Sequence, residues 1–566
     1  MAKTLVRSAN IEIFHDILDQ TWDKALKSRI IPRIWQKDFT VWKPKDEEIS
    51  NRLGWLHSPE SSLRLLPEIE KCVQDVRRDG YTQALLLGMG GSSLAPETLS
   101  QIFKTRKGFL DLHILDSTDP GAVLEWKDTL DPEKTLFIVS SKSGTTLETT
   151  SFLNFFFTWA GEALGYERAG SHFIAITDPV TPLAELAREL SFRHIFFGDP
   201  EIGGRFSALS VFGLVPAALK GINIRRLLKG GRKAARLCRK LSPPKNPGVF
   251  LGGILSSLAQ AGRDKATFIV SPQIESFSFW LEQLLAESTG KEGRGILPVV
   301  KDPAVSSEFP GEDRVFISIR MKKDPAHDLL LRHLIGHRQP LLALSLSHVY
   351  DLGSQFFLWE MAAAAAGYFL GINPFNQPDV AASKKKTEEI LTVYRRTGRL
   401  STEKPNLKVD GFSIFSGIKA LSLEEHISSF LGQARPGDYL AIQAFLHPTQ
   451  QNTDALQNFR KMLIQKIKRA VTLGFGPRYL HSTGQYHKGG KDNGLYIQFT
   501  ADDRKDISIP DRLGSSQASL TFGILKNAQA EGDWEALKER GRRIMRIHIG
   551  RNVTEGLRQL SALWES

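Results

Sequence analysis

Four short apolar runs, ALLLG (84–88), LHILD (112–116), TLFIVS (135–140) and FIAIT (173–177), recur between residues 80 and 220, each separated from the next by a helix-like stretch. Apolar strands that alternate with helices pair in parallel, because a parallel neighbour is reached only through a crossover that lays a helix over the sheet. The pattern therefore predicts a doubly wound α/β domain. After the proline-rich SPPKNPG (242–248) it returns, with strands ATFIV, RVFISI and PLLALSL around the helices SFSFWLEQLLAES and DLLLRHLIG. A second domain of the same kind is expected, though no fixed-period repeat is visible. A third region follows the polar STEKPNLKVDG and carries its own strands, YLAIQAFL and GLYIQFT. The expected fold class is α/β: two doubly wound parallel-sheet domains plus an α/β carboxy-terminal region. The division is 1–60 (an amino-terminal helical segment), 61–235, 236–400 and 401–566.

Composition narrows the class of function. The 566 residues are 41% hydrophobic, enough for several cores, and Lys plus Arg (74) exceed Asp plus Glu (62) by 74 − 62 = 12. A basic excess suits nucleic acid, an anionic membrane or a phosphorylated substrate, and no recognition motif for nucleic acid accompanies it. Two cysteines, Cys72 and Cys238, exclude a disulfide framework or a cysteine-rich zinc site and read as buried thiols in a reducing cytoplasm. The most apolar stretch, MAAAAAGYFLGI (361–372), falls short of the roughly 20 residues a membrane span needs, so it reads as a buried helix. The first residues lack an apolar signal core, so a cytoplasmic protein is expected, and with no recognition motif and no span the expectation is for no nucleic-acid or membrane partner.

Ligands of doubly wound sheets lie beyond the carboxyl ends of the strands, and there the chain places chemistry. LGMGGSSLAPET (87–98) runs from strand through Gly88, Gly90 and Gly91 to a helix start, with Ser92 and Ser93 able to cap the helix or bind a hydroxyl. It lacks a third glycine at the spacing a dinucleotide fingerprint requires. SKSGTTLET (141–149) offers Ser141, Lys142, Ser143 and Thr146 at a strand-to-helix turn, the setting for a phosphate monoester, without the spacing of a P-loop. EIGGRFSALS (201–210) sets Arg205 after two glycines, where it can stabilise an oxyanion or make an ordinary salt bridge. WLEQLLAESTGKEG places Glu287 at the end of an amphipathic helix with Gln283 one turn earlier, a candidate base and a polar neighbour on one face. NPFNQPDVAASKKK offers Gln377 and Lys384, which share a helix face if the helix begins near Pro378.

In order and spacing, these five segments resemble the phosphoglucose isomerase family over roughly residues 50 to 390. The resemblance implies two sugar isomerase (SIS) domains that interconvert glucose 6-phosphate and fructose 6-phosphate in glycolysis and gluconeogenesis, with no metal or organic cofactor. It implies Ser141, Lys142, Ser143 and Thr146 around the phosphate and Gly91 and Ser92 near the sugar. Ser143 stands where the family more usually has threonine. The resemblance further implies Glu287 as the base moving a proton between C2 and C1, Arg205 beside the cis-enediolate, Gln283 and Gln377 as positioning amides, and Lys384 as an aid to ring opening. The family's ring-opening histidine follows soon after the base, yet STGKEGRGILPVVKDPAVSSEFPGEDRVF contains none. LHSTGQ (480–485) carries the matching short pattern, so His481 is expected to fold back from the third region, with His487 as its local competitor.

The third region looks like the end of the isomerase half of fused transaldolase/phosphoglucose isomerase proteins. A transaldolase barrel needs over about 200 residues, which the first 80 cannot hold, so isomerase activity alone is expected. The partner is a sugar phosphate, and the chain is expected to be a homodimer or a monomer. A non-catalytic sugar-phosphate sensor and an isomerase of another aldose phosphate, such as mannose 6-phosphate, are the alternative readings.

Overall fold

The computed structural model describes residues 6–303, 311–400 and 403–563. The chain opens with a short strand, β1 (Val6–Ala9), and then builds a first sheet from β2 (Gln83–Gly88), β3 (Asp111–Leu115), β4 (Thr135–Ser140), β5 (Phe173–Thr177) and β6 (His194–Phe197). Its order is β3-β2-β4-β5-β6, every pair parallel. The second sheet uses β7 (Lys265–Val270), β8 (Leu297–Val299), β9 (Arg314–Met321) and β10 (Leu341–Leu346). These run β8-β7-β9-β10 in parallel, and β1 closes the far edge antiparallel to β10.

Beyond residue 403 lies a third sheet: β11 (Leu407–Val409), β12 (Phe412–Phe415), β13 (Tyr439–Phe445), β14 (Ala470–Phe475), β15 (Gly494–Thr500) and, after the small pair β16 (Ser508–Ile509) and β17 (Leu520–Thr521), β18 (Arg543–His548). Its parallel part runs β14-β13-β15-β18, with β12 and β11 added antiparallel. In all three sheets the first parallel strand sits inside, the second lies on one flank and the third on the other. The strand order therefore reverses at β2/β4, at β7/β9 and at β13/β15, and each reversal opens a crevice at the strands' carboxyl ends.

Two corrections to the sequence reading follow. The amino-terminal segment, expected to be helical, also supplies β1; its four residues are too few to show a strand's alternation. The linker STEKPNLKVDG holds β11 within it, while its first two residues lie outside the described residues.

The apolar stretch 361–372 forms the second half of the helix Leu352–Leu370 and its cap, and every residue of that helix is buried. Among the described residues no helix is long and apolar enough to cross a membrane. The same helix packs against Ile224–Leu237, where Ser354 Oγ donates to Gly230 O at 2.8 Å, and so joins the first two sheets across one shared core. Cys72 and Cys238 are buried and unpaired, as expected, and burial pushes both thiols up, to about 11 and about 12.

Candidate active site

The loop after β2 and the loop after β4 emerge side by side, because these strands flank the reversal in the first sheet. Between them and the second sheet lies a cavity of about 480 Å³. Gly91, Ser92, Lys142, Ser143 and Thr146 line one side of it. Arg205, Gln283, Glu287, Gln377, Lys384 and His481 line the other. The sequence motifs, scattered over 390 residues from Gly91 to His481, thus converge on one space. Of the expected site residues only Ser141 is set back. It is buried behind the loop, its hydroxyl 3.1 Å from Thr146 Oγ1, where it holds that side chain in place.

The loop after β4 ends at the helix Leu147–Leu164, whose amino terminus has no side-chain cap. Its first-turn N–H groups are left for an anion, beside the positive end of an 18-residue helix dipole. Lys142 Nζ contacts Asp178 and donates to Pro200 O at 3.3 Å, which anchors the cation at the mouth of the cavity.

Glycine at position 91 has a steric reason. A Cβ there would lie 2.2 Å from the Gly204 carbonyl, so the β2 loop and the Arg205 turn touch backbone to backbone. Arg205 is no flexible surface group: it is 3% exposed and each of its three nitrogens has a partner. Nε reaches Ser288 Oγ (2.8 Å), Nη1 reaches Gln377 Oε1 (2.9 Å) and Glu287 Oε1 (3.1 Å), and Nη2 reaches Pro374 O (2.6 Å). Gln283 Nε2 holds the other carboxylate oxygen, Glu287 Oε2, at 3.1 Å. Two donors thus fix the orientation of a buried carboxylate, where low polarity magnifies each charge. The Gln283 carbonyl oxygen is buried without a partner among the described residues, and it adjoins the cavity.

Gln377 lies in the loop ahead of the helix Val380–Thr397, so it does not share a helix face with Lys384 as the spacing suggested. Both still reach the cavity. Lys384 is exposed and makes no hydrogen bond or ion pair among the described residues.

His481 arrives from the third region on a short turn, Arg478–His481, that follows β14. Its carbonyl accepts from Gln283 Nε2 at 2.8 Å, and its Nε2 lies 2.8 Å from Glu148 Oε1. Burial alone would raise the Glu148 carboxyl, but the charge and hydrogen bond of His481 prevail and hold it at about 2. Gln529 Nε2 also donates to Glu148 Oε1, at 2.8 Å. Arg478 steadies the turn by pairing with Glu97 and with Asp116 (3.1 Å) of the first domain. Gln485 locks its far end, donating to Gly290 O at 2.9 Å and to Asp379 Oδ2 at 2.6 Å. A Cβ at Gly290 would come within 2.5 Å of Tyr486 Cα, so the helix Phe277–Thr289, which carries Glu287, must end in glycine for this segment to dock. His487 is buried elsewhere, 3.1 Å from Gln443 Nε2, and burial pushes its imidazole down to about 3. His333 and His337 lie against each other, ring centroids 4.0 Å apart, on the helix Asp328–Gly336 and its cap.

Sequence reasoning missed three of these residues. Glu148 stood inside the quoted SKSGTTLET, but its partner is 333 positions away. Arg478 and Gln485 flank His481 within PRYLHSTGQ, and charged or amide residues beside a candidate histidine were the available signal.

Two doubly wound sheets meeting over an uncapped helix terminus, with a buried carboxylate–guanidinium pair opposite, define a two-sheet α/β protein with its polar site between the sheets. Residues 77–296 match the family model described as Phosphoglucose isomerase. The chain is 29% identical over 407 residues to "Glucose-6-phosphate isomerase" of Carboxydothermus hydrogenoformans, covering 61% of this chain and 86% of that one. It is 28% identical to "Probable glucose-6-phosphate isomerase" of Methanococcus maripaludis, covering 62% and 86%. Among solved structures, a hypothetical protein of Thermus thermophilus superposes with a TM-score of 0.56 at 27% identity, over 68% of this chain and 99% of that one. A glucose-6-phosphate isomerase of Chlamydia trachomatis, at 19% identity and TM-score 0.56 over 66% and 86%, shares the fold. Residues 77–296 form a phosphoglucose isomerase domain.

Proposed function

We propose that the chain is a glucose-6-phosphate isomerase, interconverting glucose 6-phosphate and fructose 6-phosphate by proton transfer through a cis-enediolate. The observation that carries this reading is the buried Glu287–Arg205 pair facing the phosphate loop across one cavity. A carboxylate held by two donors is a fixed base for the proton that moves between C2 and C1. The guanidinium beside it meets the negative charge that develops on the oxygens. Lys142, Ser143, Thr146 and the helix terminus would take the phosphate, while Gln283 and Gln377 position the sugar. His481, set by Glu148, and Lys384 would open the ring.

Because His481 comes from the same chain as Glu287, a single chain supplies the whole set, and activity should not depend on assembly. The four-part division at residues 60, 235 and 400 belongs to the same reading.

The test is a coupled assay of fructose 6-phosphate conversion, with mannose 6-phosphate in parallel. Wild-type turnover of fructose 6-phosphate that collapses in Glu287→Gln is the expected result. Binding of the sugar phosphate without turnover would leave a sensor instead.

A further inference from the structure

The third sheet repeats the strand order of the first, and its reversal lies between β13 and β15. In the first sheet that crevice holds the phosphate loop. In the third it holds a cavity of about 230 Å³ that shares no lining residue with the catalytic one. We propose that this second cavity binds a small, hydroxylated phosphate monoester.

Charge and donors at its rim support an anion. Arg504, Lys505 and Arg551 line the mouth, are exposed, and make no hydrogen bond or ion pair among the described residues. The helix Val553–Ala562 opens on the same space with no side-chain cap on its first turn. Three free cations and a helix terminus can serve the three oxygens of a phosphate, with each arginine fork able to take two of them.

The floor has the opposite character. Asp119 and Asp503 both grip the buried Lys526, at 2.8 Å from Asp119 Oδ2. Carboxylates there repel an extended polyanion and accept hydrogen bonds from hydroxyls. The volume is below the range of about 300–1,000 Å³ usual for drug-sized ligands, so the occupant is a small polyol phosphate. The wall combines Asp119 of the first domain with residues that follow β13 and β15 of the third, so an occupant bridges the two.

The probe is glycerol 3-phosphate, titrated calorimetrically into the full-length protein at physiological ionic strength. Binding should persist in Lys142→Ala, which weakens the catalytic phosphate loop. It should fall at least about tenfold in Arg504→Ala/Arg551→Ala, as expected for lost charge-assisted hydrogen bonds. Both arginines are exposed and unpaired, so this variant should stay folded and keep its fructose 6-phosphate turnover within about twofold. Undiminished binding by the double variant overturns the proposal, as does loss of all binding in Lys142→Ala or no binding by the wild type. Failure of the isomerase reading is seen separately, as absent turnover in the wild type.

Discussion

His481 Nε2 stands 2.8 Å from Glu148 Oε1 across 333 positions of sequence, joining the last third of the chain to the helix that follows β4. The pair is almost buried, with side-chain exposures of 12% and 6%, and both ends are tethered: Glu148 by Gln529 and His481 by Gln283. A side chain on a short turn needs such tethers to keep its geometry.

His481→Ala should lower kcat for isomerisation by about 10²- to 10⁴-fold, the usual contribution of one acid–base group, in a folded protein. Glu148→Gln should lower it less, by about tenfold, because the imidazole stays but loses its orienting anion. Coupled-assay kinetics and a circular dichroism spectrum of each variant check both. Wild-type turnover in His481→Ala would assign ring opening elsewhere.

Arg205→Lys should fail nearly as badly as Arg205→Ala. A lysine keeps the charge but cannot reach Ser288, Gln377, Pro374 and Glu287 together, which the guanidinium does. Arg205→Ala should also cost about 3–5 kcal/mol, since it leaves the buried Glu287 carboxylate without its cation. Denaturant midpoints and kcat/KM for both variants test this.

Gly91→Ala should perturb activity beyond the size of one methyl group. Its Cβ would meet the Gly204 carbonyl at 2.2 Å, so the β2 loop and the Arg205 turn must move apart. A rise in KM together with a fall in kcat is expected, checked by steady-state kinetics. Gly417→Ala, with open space around it and no left-handed backbone to strain, should leave activity unchanged.

Glu282, one residue before Gln283, makes stability depend on pH. Burial pushes its carboxyl up from 4.5 to about 7, against the pull of Arg460 and Arg478. The folded chain keeps this proton over a range where the unfolded chain has released it. Its contribution is therefore full below about pH 4.5, declines as pH rises, and levels off above about pH 7. In Glu282→Gln the loss of urea stability between about pH 5 and about pH 8 should shrink relative to wild type. Equal slopes in the two proteins would refute it.

Much of this architecture was legible because parallel sheets announce themselves as continuous apolar runs, each strand being buried on both faces. TLFIVS and FIAIT became β4 and β5 with the expected bounds. The glycine-rich and hydroxyl-rich loops were readable because strand-to-helix turns at a reversal point have few uses. Three things were not. β1 gains its conformation from β10, not from its own four residues. Ser141 shares the composition of its loop but points inward, which a one-residue difference in backbone direction decides. Arg478 and Gln485 owe their importance to Asp116, Glu97 and Asp379, a hundred or more residues upstream, and no local pattern encodes such pairings.

The carbonyl of His481 accepts from Gln283 Nε2, the same nitrogen that steadies Glu287. During synthesis Glu287 precedes His481 by 481 − 287 = 194 residues. At about 5–20 residues per second, a ribosome needs roughly 10–40 s to cover that interval. A nascent chain therefore carries the loop after β4 and the Glu287 carboxylate well before His481, and the last side chain to line the cavity is made long after the others.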